Sequence, residues 1–429
     1  MNATACKIQK LGDIITLEKG KPPTQQPYFG PDAELYLTPE YLRRRGAAEP
    51  VKASANAVRV SDGDSIVLWD GSNAGEFFRG RKGILASTMS RIQHGETFDK
   101  KYFFYAVKNW ESYLKGQTSG SGIPHVDKDV LGKIEIFEFD KYEQTKIAEI
   151  LSTVDRAIEQ TEALIAKQQR IKTGLMQDLL TRGIDEHGNL RSEQTHKFKD
   201  SPLGRIPMEW EVLKWSEVSS KIQDGTHFSP RTDESAEFKY VTSRNIKFGY
   251  LDLSDVEYIN RRQHDEIYKR CDVLPGDVLL TKDGANTGNA AINLLKEPFS
   301  LLSSVAFIRP KKGKLTSMFL LQAILSENGQ RLIKDSMSGL AITRVTLEII
   351  NNFLIKIPPI QEQNNIGEFL AVEDRRINME AKKLAKFHSL KTALMQDLLT
   401  GRKRVTALQN DIDVVSVAPL NVLEKEDLR

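Results

Sequence analysis

The decapeptide KTGLMQDLLT at residues 172–181 returns as KTALMQDLLT at residues 391–400, changed only at Gly174 against Ala393. The offset, 391 − 172 = 219, is about half of the 429 residues, so the chain reads as a duplication. At the same offset Glu143, Gln144, Ile147, Glu149, Leu151, Asp155, Arg156 and Ile158 meet identical residues at Glu362, Gln363, Ile366, Glu368, Leu370, Asp374, Arg375 and Ile377. Apolar positions recur at threes and fours, as in Ile147, Leu151, Val154, Ile158, Ile165, Leu175 and Leu179, which is helical spacing. No proline interrupts either copy, so two helices of about 60 Å are expected from the 1.5 Å rise per residue. Such a stripe is ordinarily the core-facing side of one helix. Two long, similar stripes in one chain can also pack on each other as a pseudo-symmetric pair. The MQDLL segments are then expected where helix ends meet neighbouring modules or partner chains.

The stretches before each helix match more loosely. SGSGIPHVDKDVLGKIEI (119–136) aligns with SGLAITRVTLEIINNFLI (338–355), and GDSIVLWDGSNAG (63–75) with GDVLLTKDGANTG (276–288). YLT at 36–38 answers YVT at 240–242. Runs such as SIVLW and DVLLT, flanked by Gly and Asn, read as short strands joined by turns. Each half is therefore expected to be a mixed α/β module followed by one long helix. Arg182 to Trp210 is polar and broken by Pro202, Gly204 and Pro207, and reads as the linker between halves.

Charge and composition exclude more than they assign. Lys and Arg total 61 against 58 Asp and Glu, so the net charge of +3 does not announce a nucleic-acid binder and any basic surface must be local. The two cysteines, Cys6 and Cys271, belong to no metal-type cluster, which points to a reducing, cytoplasmic setting. The amino terminus lacks the apolar core of a signal peptide, and no run approaches the roughly 20 apolar residues of a membrane span. A G-x-x-x-x-G-K-[ST] phosphate loop is absent, as are a cofactor loop and an N/D-P-P-Y/F motif of DNA amino-methyltransferases. The histidines show no metal-ligand spacing. No catalytic residue and no metal site are expected, and no cofactor bound by this chain.

Two variable modules, each followed by a helix ending in LMQDLLT, with SPLGRIPMEW opening the second module and TGRKRV closing the second helix, resemble the specificity subunit of type I restriction-modification enzymes. The likeness covers nearly the whole chain. The first half departs from it in lacking the LGRIP opening and in reading FEFDKYEQ where the second reads KIPPIQEQ. The resemblance implies an α+β chain: a first target-recognition domain at 1–141, a central long helix at 142–182, a linker at 183–208, a second target-recognition domain at 209–360, a C-terminal long helix at 361–401 and a polar tail at 402–429. It implies that the helices pack as an antiparallel, coiled-coil-like pair with pseudo-two-fold symmetry. It also implies a non-catalytic subunit whose partners are double-stranded DNA, a methylation subunit in two copies and a restriction motor subunit. S-adenosylmethionine, ATP and Mg would sit on those partners. A pseudo-dimeric adaptor that bridges proteins without reading DNA is the competing binding role.

Base readers should be polar side chains on loops that reach a groove. Position in the repeated loops nominates Thr38, Arg43, Arg44, Ser72, Asn73, Ser121 and His125 in the first module. In the second it nominates Thr226, His227, Thr242, Arg244, Asn245, Lys282, Asn286 and Arg344. For partner contacts the repeated helix ends nominate Leu175, Met176 and Leu179, with Leu394, Met395 and Leu398.

Overall fold

The structure, a computed structural model, describes residues 7–44, 46–118, 123–337 and 344–405. The repeated stretches form helices Lys141–Leu179 and Ile360–Leu398, each of 39 residues, and the offset of 219 relates both of their ends (141 + 219 = 360, 179 + 219 = 398). The described residues up to Glu162, together with those from Lys382 onward, form one compact unit, and Ala163–Ala381 form the other. Both divisions therefore fall inside the long helices. Each unit holds the start of one helix and the end of the other. The stretch read as a linker belongs to the second unit, where Phe198–Lys199 pairs with Ile206–Pro207 and both Arg191 and Ile206 are buried.

In the first unit, Ile15–Lys19, Met89–His94, Ser65–Leu68 and Phe77–Arg79 make an antiparallel sheet in that order. A second sheet orders Pro50–Val51, Glu34–Leu37, Gly83–Leu85 and Arg59–Val60, with Glu34–Leu37 parallel to Gly83–Leu85. Ser65–Leu68 is buried along its whole length, which is why SIVL is apolar without alternation. The second unit repeats the plan. Ser219–Asp224, Val305–Pro310, Val278–Thr281 and Ala290–Ile292 form the antiparallel sheet, and Phe238–Val241 lies between Glu257–Ile259 and a parallel Ser300–Leu301. Each module is closed at its base by its own ends: Lys7–Lys10 pairs with Glu135–Glu138, and Glu211–Lys214 with Leu354–Ile357.

The repeated helix residues explain how each module is seated. In the first unit Gln144 accepts from the Asp99 amide (2.6 Å) and donates to the Thr97 (3.0 Å) and Phe139 (2.8 Å) carbonyls. Gln363 does the same in the second, with the Thr316 amide (3.0 Å) and the Lys314 (2.8 Å) and Pro358 (2.9 Å) carbonyls. Asp155 accepts from Tyr105 and pairs with Lys391, both at 2.6 Å. Its counterpart Asp374 accepts from Gln322 (3.1 Å) and pairs with Lys172 (2.5 Å). Buried Glu143 binds Arg404 through two contacts of 2.7 and 2.5 Å, and buried Glu362 binds Arg191 at 2.5 and 3.1 Å. In the first unit the partners run from Lys391 to Arg404 as the central helix runs back from Asp155 to Glu143, so the two segments are antiparallel. The second unit has the same sense, from Lys172 to Arg191 against Asp374 to Glu362.

This seating corrects the partner-contact expectation for three of its six residues. Met176 and Leu179 are buried in the second unit's core with Trp210, Ile366 and Leu370, and Leu175 packs against it. Leu398 is fully buried in the first unit's core with Leu151 and Phe139, where Leu394 and Met395 also pack. Met176, Leu179 and Leu398 serve packing inside their units, because a buried side chain has no apolar surface left to give a partner, whereas Leu175, Leu394 and Met395 are only partly buried.

Candidate nucleic-acid interface

In each module the Asp-Gly turn that follows a buried strand is stitched to the segment leading into a short helix. The Gly71 amide donates to the Pro124 carbonyl and the Val126 amide to the Trp69 carbonyl, both at 2.9 Å. The Val345 amide donates to the Lys282 carbonyl at 2.8 Å. Asp70 faces His125 and Asp283 faces Arg344 across isolated antiparallel bridges. Gly71 and Gly284, with φ of +120° and +89°, take a conformation that side chains rarely adopt, so both turns need glycine there. The frame repeats, and its exposed residues differ in part: Asn73 and Asn286 match, while Ser72 and His125 stand where Ala285 and Arg344 do. Ser72, Asn73 and His125 stand out from it in the first module, Asn286 and Arg344 in the second.

Other nominees sort by burial. Arg44, His227 and Arg244 are exposed, with Arg44 paired to Glu159 and Arg244 to Glu257 at 2.8 Å each, and His227 3.4 Å from Asp224. Six nominees do structural work instead, which corrects their assignment as readers. Thr38 caps the helix Pro39–Leu42 by accepting from the Tyr41 amide. Arg43 is largely buried against Glu76, whose hydrogen bond raises the guanidinium pKa above its usual value. Thr226 is buried and accepts from the Phe228 amide. Thr242 and Asn245 hold one turn: the Asn245 side-chain Oδ1 accepts from the Thr242 amide, and its Nδ2 donates to the Asp252 and Asp255 carbonyls. Lys282 is buried between Asp283 at 3.0 Å and Asp224 at 3.6 Å. Ser121 lies outside the described residues.

Sequence reasoning missed a cluster of cations. A cleft of about 1200 Å³ in the first unit is lined by carboxylates, among them Glu149, Glu159 and Glu162, and by Arg79, Arg81, Lys101 and Arg156, none of which has a carboxylate within ion-pair distance among the described residues. Arg79 follows Phe77 and Phe78 on a strand, and only the fold brings it to Arg156 of the long helix. Lys19, at 2.7 Å, neutralises Asp70 beside the first turn. In the second module a pocket of about 310 Å³ is lined by Tyr240, Thr242, Arg244 and Glu257. Among the described residues the buried Tyr240 hydroxyl has no hydrogen-bond partner, and its pKa is pushed up to about 12 by burial and by the charge of Glu257. Polar side chains on paired turns can contact base edges, and cations that no carboxylate neutralises can contact phosphates. Among the described residues no group of His, Cys, Asp or Glu could hold a metal ion, and no helix is long and apolar enough to cross a membrane.

Residues 5–168 and 207–387 match the family model for the type I restriction modification DNA specificity domain. The chain is 34% identical over 412 residues to the type I restriction enzyme MjaVIII specificity subunit of Methanocaldococcus jannaschii, covering 94% of each. It is 22% identical over 367 residues to the EcoBI specificity subunit of Escherichia coli, covering 82% of this chain and 76% of that one. The fold is shared with the S subunit of a type I restriction-modification system from M. genitalium, at a TM-score of 0.61 and 15% identity over 93% of this chain and 97% of that one. The duplicated modules, the repeated helices and these likenesses converge on one assignment: the chain belongs to the type I restriction-modification DNA specificity family.

Proposed function

We propose that this chain is the non-catalytic DNA-recognition subunit of a type I restriction-modification complex, each module reading one half of a bipartite, asymmetric site. The observation that carries this reading is the repeated loop frame with unlike side chains: Ser72 and His125 in one module occupy the places of Ala285 and Arg344 in the other, around the shared Asn73 and Asn286. A fixed frame with changed contacts is what two different half-sites require. The long helices hold the modules apart and dock methylation subunits, two copies matching the two units, and a restriction motor subunit joins them. S-adenosylmethionine, ATP and Mg belong to those partners, and the complex works in the cytoplasm.

Partner docking falls to exposed helix residues. Ile171 and Leu390 are equivalent under the repeat (171 + 219 = 390) and each is 46% exposed, so they offer the same apolar contact twice. Methylation-site sequencing of cells that carry the complex with residues 209–357 exchanged for another module tests the reading. One half of the methylated sequence should change and the other stay. A change in both halves, or in neither, overturns it.

A further inference from the structure

The second module carries an aromatic tip that base-edge reading does not use. Ile246 and Leu251 bridge antiparallel, and the Lys247 amide donates to the Tyr250 carbonyl at 3.0 Å, closing a tight hairpin over KFGY. Gly249, at φ +95°, makes the turn. The two aromatics of the tip point into solvent: Phe248 is 51% exposed and Tyr250 54%. Two half-bare rings on one turn forgo burial that a folded chain ordinarily exploits, which marks a contact surface.

The tip's position says what it meets. Asn289, directly after the DGANTG turn, donates from its side chain to the Ile246 carbonyl (3.1 Å), and the Gly249 amide donates to the Ala290 carbonyl (2.9 Å). The hairpin is thus bonded to the end of the turn that presents Asn286. Its partner is whatever that turn contacts. The matching stretch of the first module, YLRRRGAAEP, has no aromatic after Tyr41, so the tip belongs to what varies between the modules.

We propose that Phe248 and Tyr250 form an aromatic wedge that stacks on or between base pairs of the second half-site, adding selection for steps that unstack easily. The inference rests on the DNA-recognition reading above. Apolar side chains inserted at a base step unstack and kink the duplex, and pyrimidine–purine steps yield most readily.

The test uses the full chain assembled with its methylation subunit on duplexes carrying the sequence found by methylation mapping. Binding is measured by titration, and unstacking by permanganate oxidation of thymines, apart from the base pair that is methylated. Wild-type complex should make at least one thymine of the second half-site reactive and none in the first. Phe248→Ala and Tyr250→Ala should abolish that reactivity and weaken binding by about 5- to 150-fold each, the range of one lost aromatic–base stack. Phe248→Trp should keep it. Specific binding without reactivity, or reactivity that survives both alanine variants, overturns the wedge and leaves the recognition reading standing. If both variants bind DNA normally but lose the methylation subunit, the tip is a protein contact and the proposal fails. Absence of specific DNA binding by the wild-type complex overturns both.

Discussion

Replacing Glu362 with alanine should destabilise the second unit more than any single change at a loop nominee. Its carboxylate is 7% exposed and takes four donors: Arg191 through Nη1 (2.5 Å) and Nη2 (3.1 Å), the Ile184 amide (2.9 Å) and the Trp210 indole (3.1 Å). Removing it strands a buried guanidinium, which costs about 3–5 kcal/mol. For a unit of 219 residues (381 − 163 + 1) that corresponds to a fall in melting temperature of roughly 6–20 °C, at about 2–4 °C per kcal/mol. Glu143→Ala should cost roughly half as much, because the side chain of its partner Arg404 is 37% exposed and water screens the loss. Calorimetry of the full chain measures the loss, and hydrogen exchange at the Ile184 amide localises it. The double variant Arg191→Met with Glu362→Met should recover about 1–4 kcal/mol of what Glu362→Ala loses. A melting temperature within 2 °C of wild type for Glu362→Ala, or no recovery in the double variant, would refute this account of the latch. Gly183→Ala offers a steric check, since an added Cβ would lie 2.1 Å from the same carboxylate.

Ile171→Asp combined with Leu390→Asp should weaken association with the methylation subunit in size-exclusion chromatography without lowering thermal stability, whereas Leu179→Asp should unfold the second unit's core. Arg344→Ala should relax sequence preference in the second half-site by about 1–3 kcal/mol per lost base contact and leave the first unchanged, read from methylation patterns. His264 is buried, 2.9 Å from the Ser300 hydroxyl and stacked on Phe238, and burial holds its pKa below the usual histidine value. The unfolded chain then takes up a proton that the folded one refuses. Its contribution is complete above the unfolded pKa of about 6.5 and is lost as pH falls toward the folded value, so stability should drop between pH 7.5 and 5.5 by at most about 1.4 kcal/mol per pH unit. His264→Gln should flatten that slope in melting experiments.

The long helices were legible because duplication fixes their register: a pattern repeated at 219 residues without a gap admits no slip, and both helices begin and end in register, their ends falling at Leu179 and Leu398 rather than at the expected 182 and 401. What covers them was not legible. An apolar stripe shows that Leu179 and Leu398 are buried but not by which residues, and each meets a module remote in sequence from its own helix start. Loop nominees failed for a related reason. Thr38 precedes Pro39, a helix-start pattern that explains its cap, and the signal was present in the sequence. Lys282 carried no such signal, since Asp224, the residue that helps to bury its charge, comes from another strand.

The seating of the modules gives a physical reason why recognition can vary while the support stays fixed. A module leaves its scaffold where it began, because its first and last strands pair: Lys7 opposes Glu138, and Glu211 opposes Ile357. Everything between those strands can change without moving the start of the long helix. Among the described residues the side chains of the repeated glutamines at that start bind only main-chain groups, Gln144 those of Thr97, Asp99 and Phe139, and Gln363 those of Lys314, Thr316 and Pro358. A main-chain contact asks for a backbone path and is indifferent to the side chain that follows it. The seat therefore accepts any module that presents two carbonyls and an amide in the right places, and the side chains of the paired turns are left free to differ.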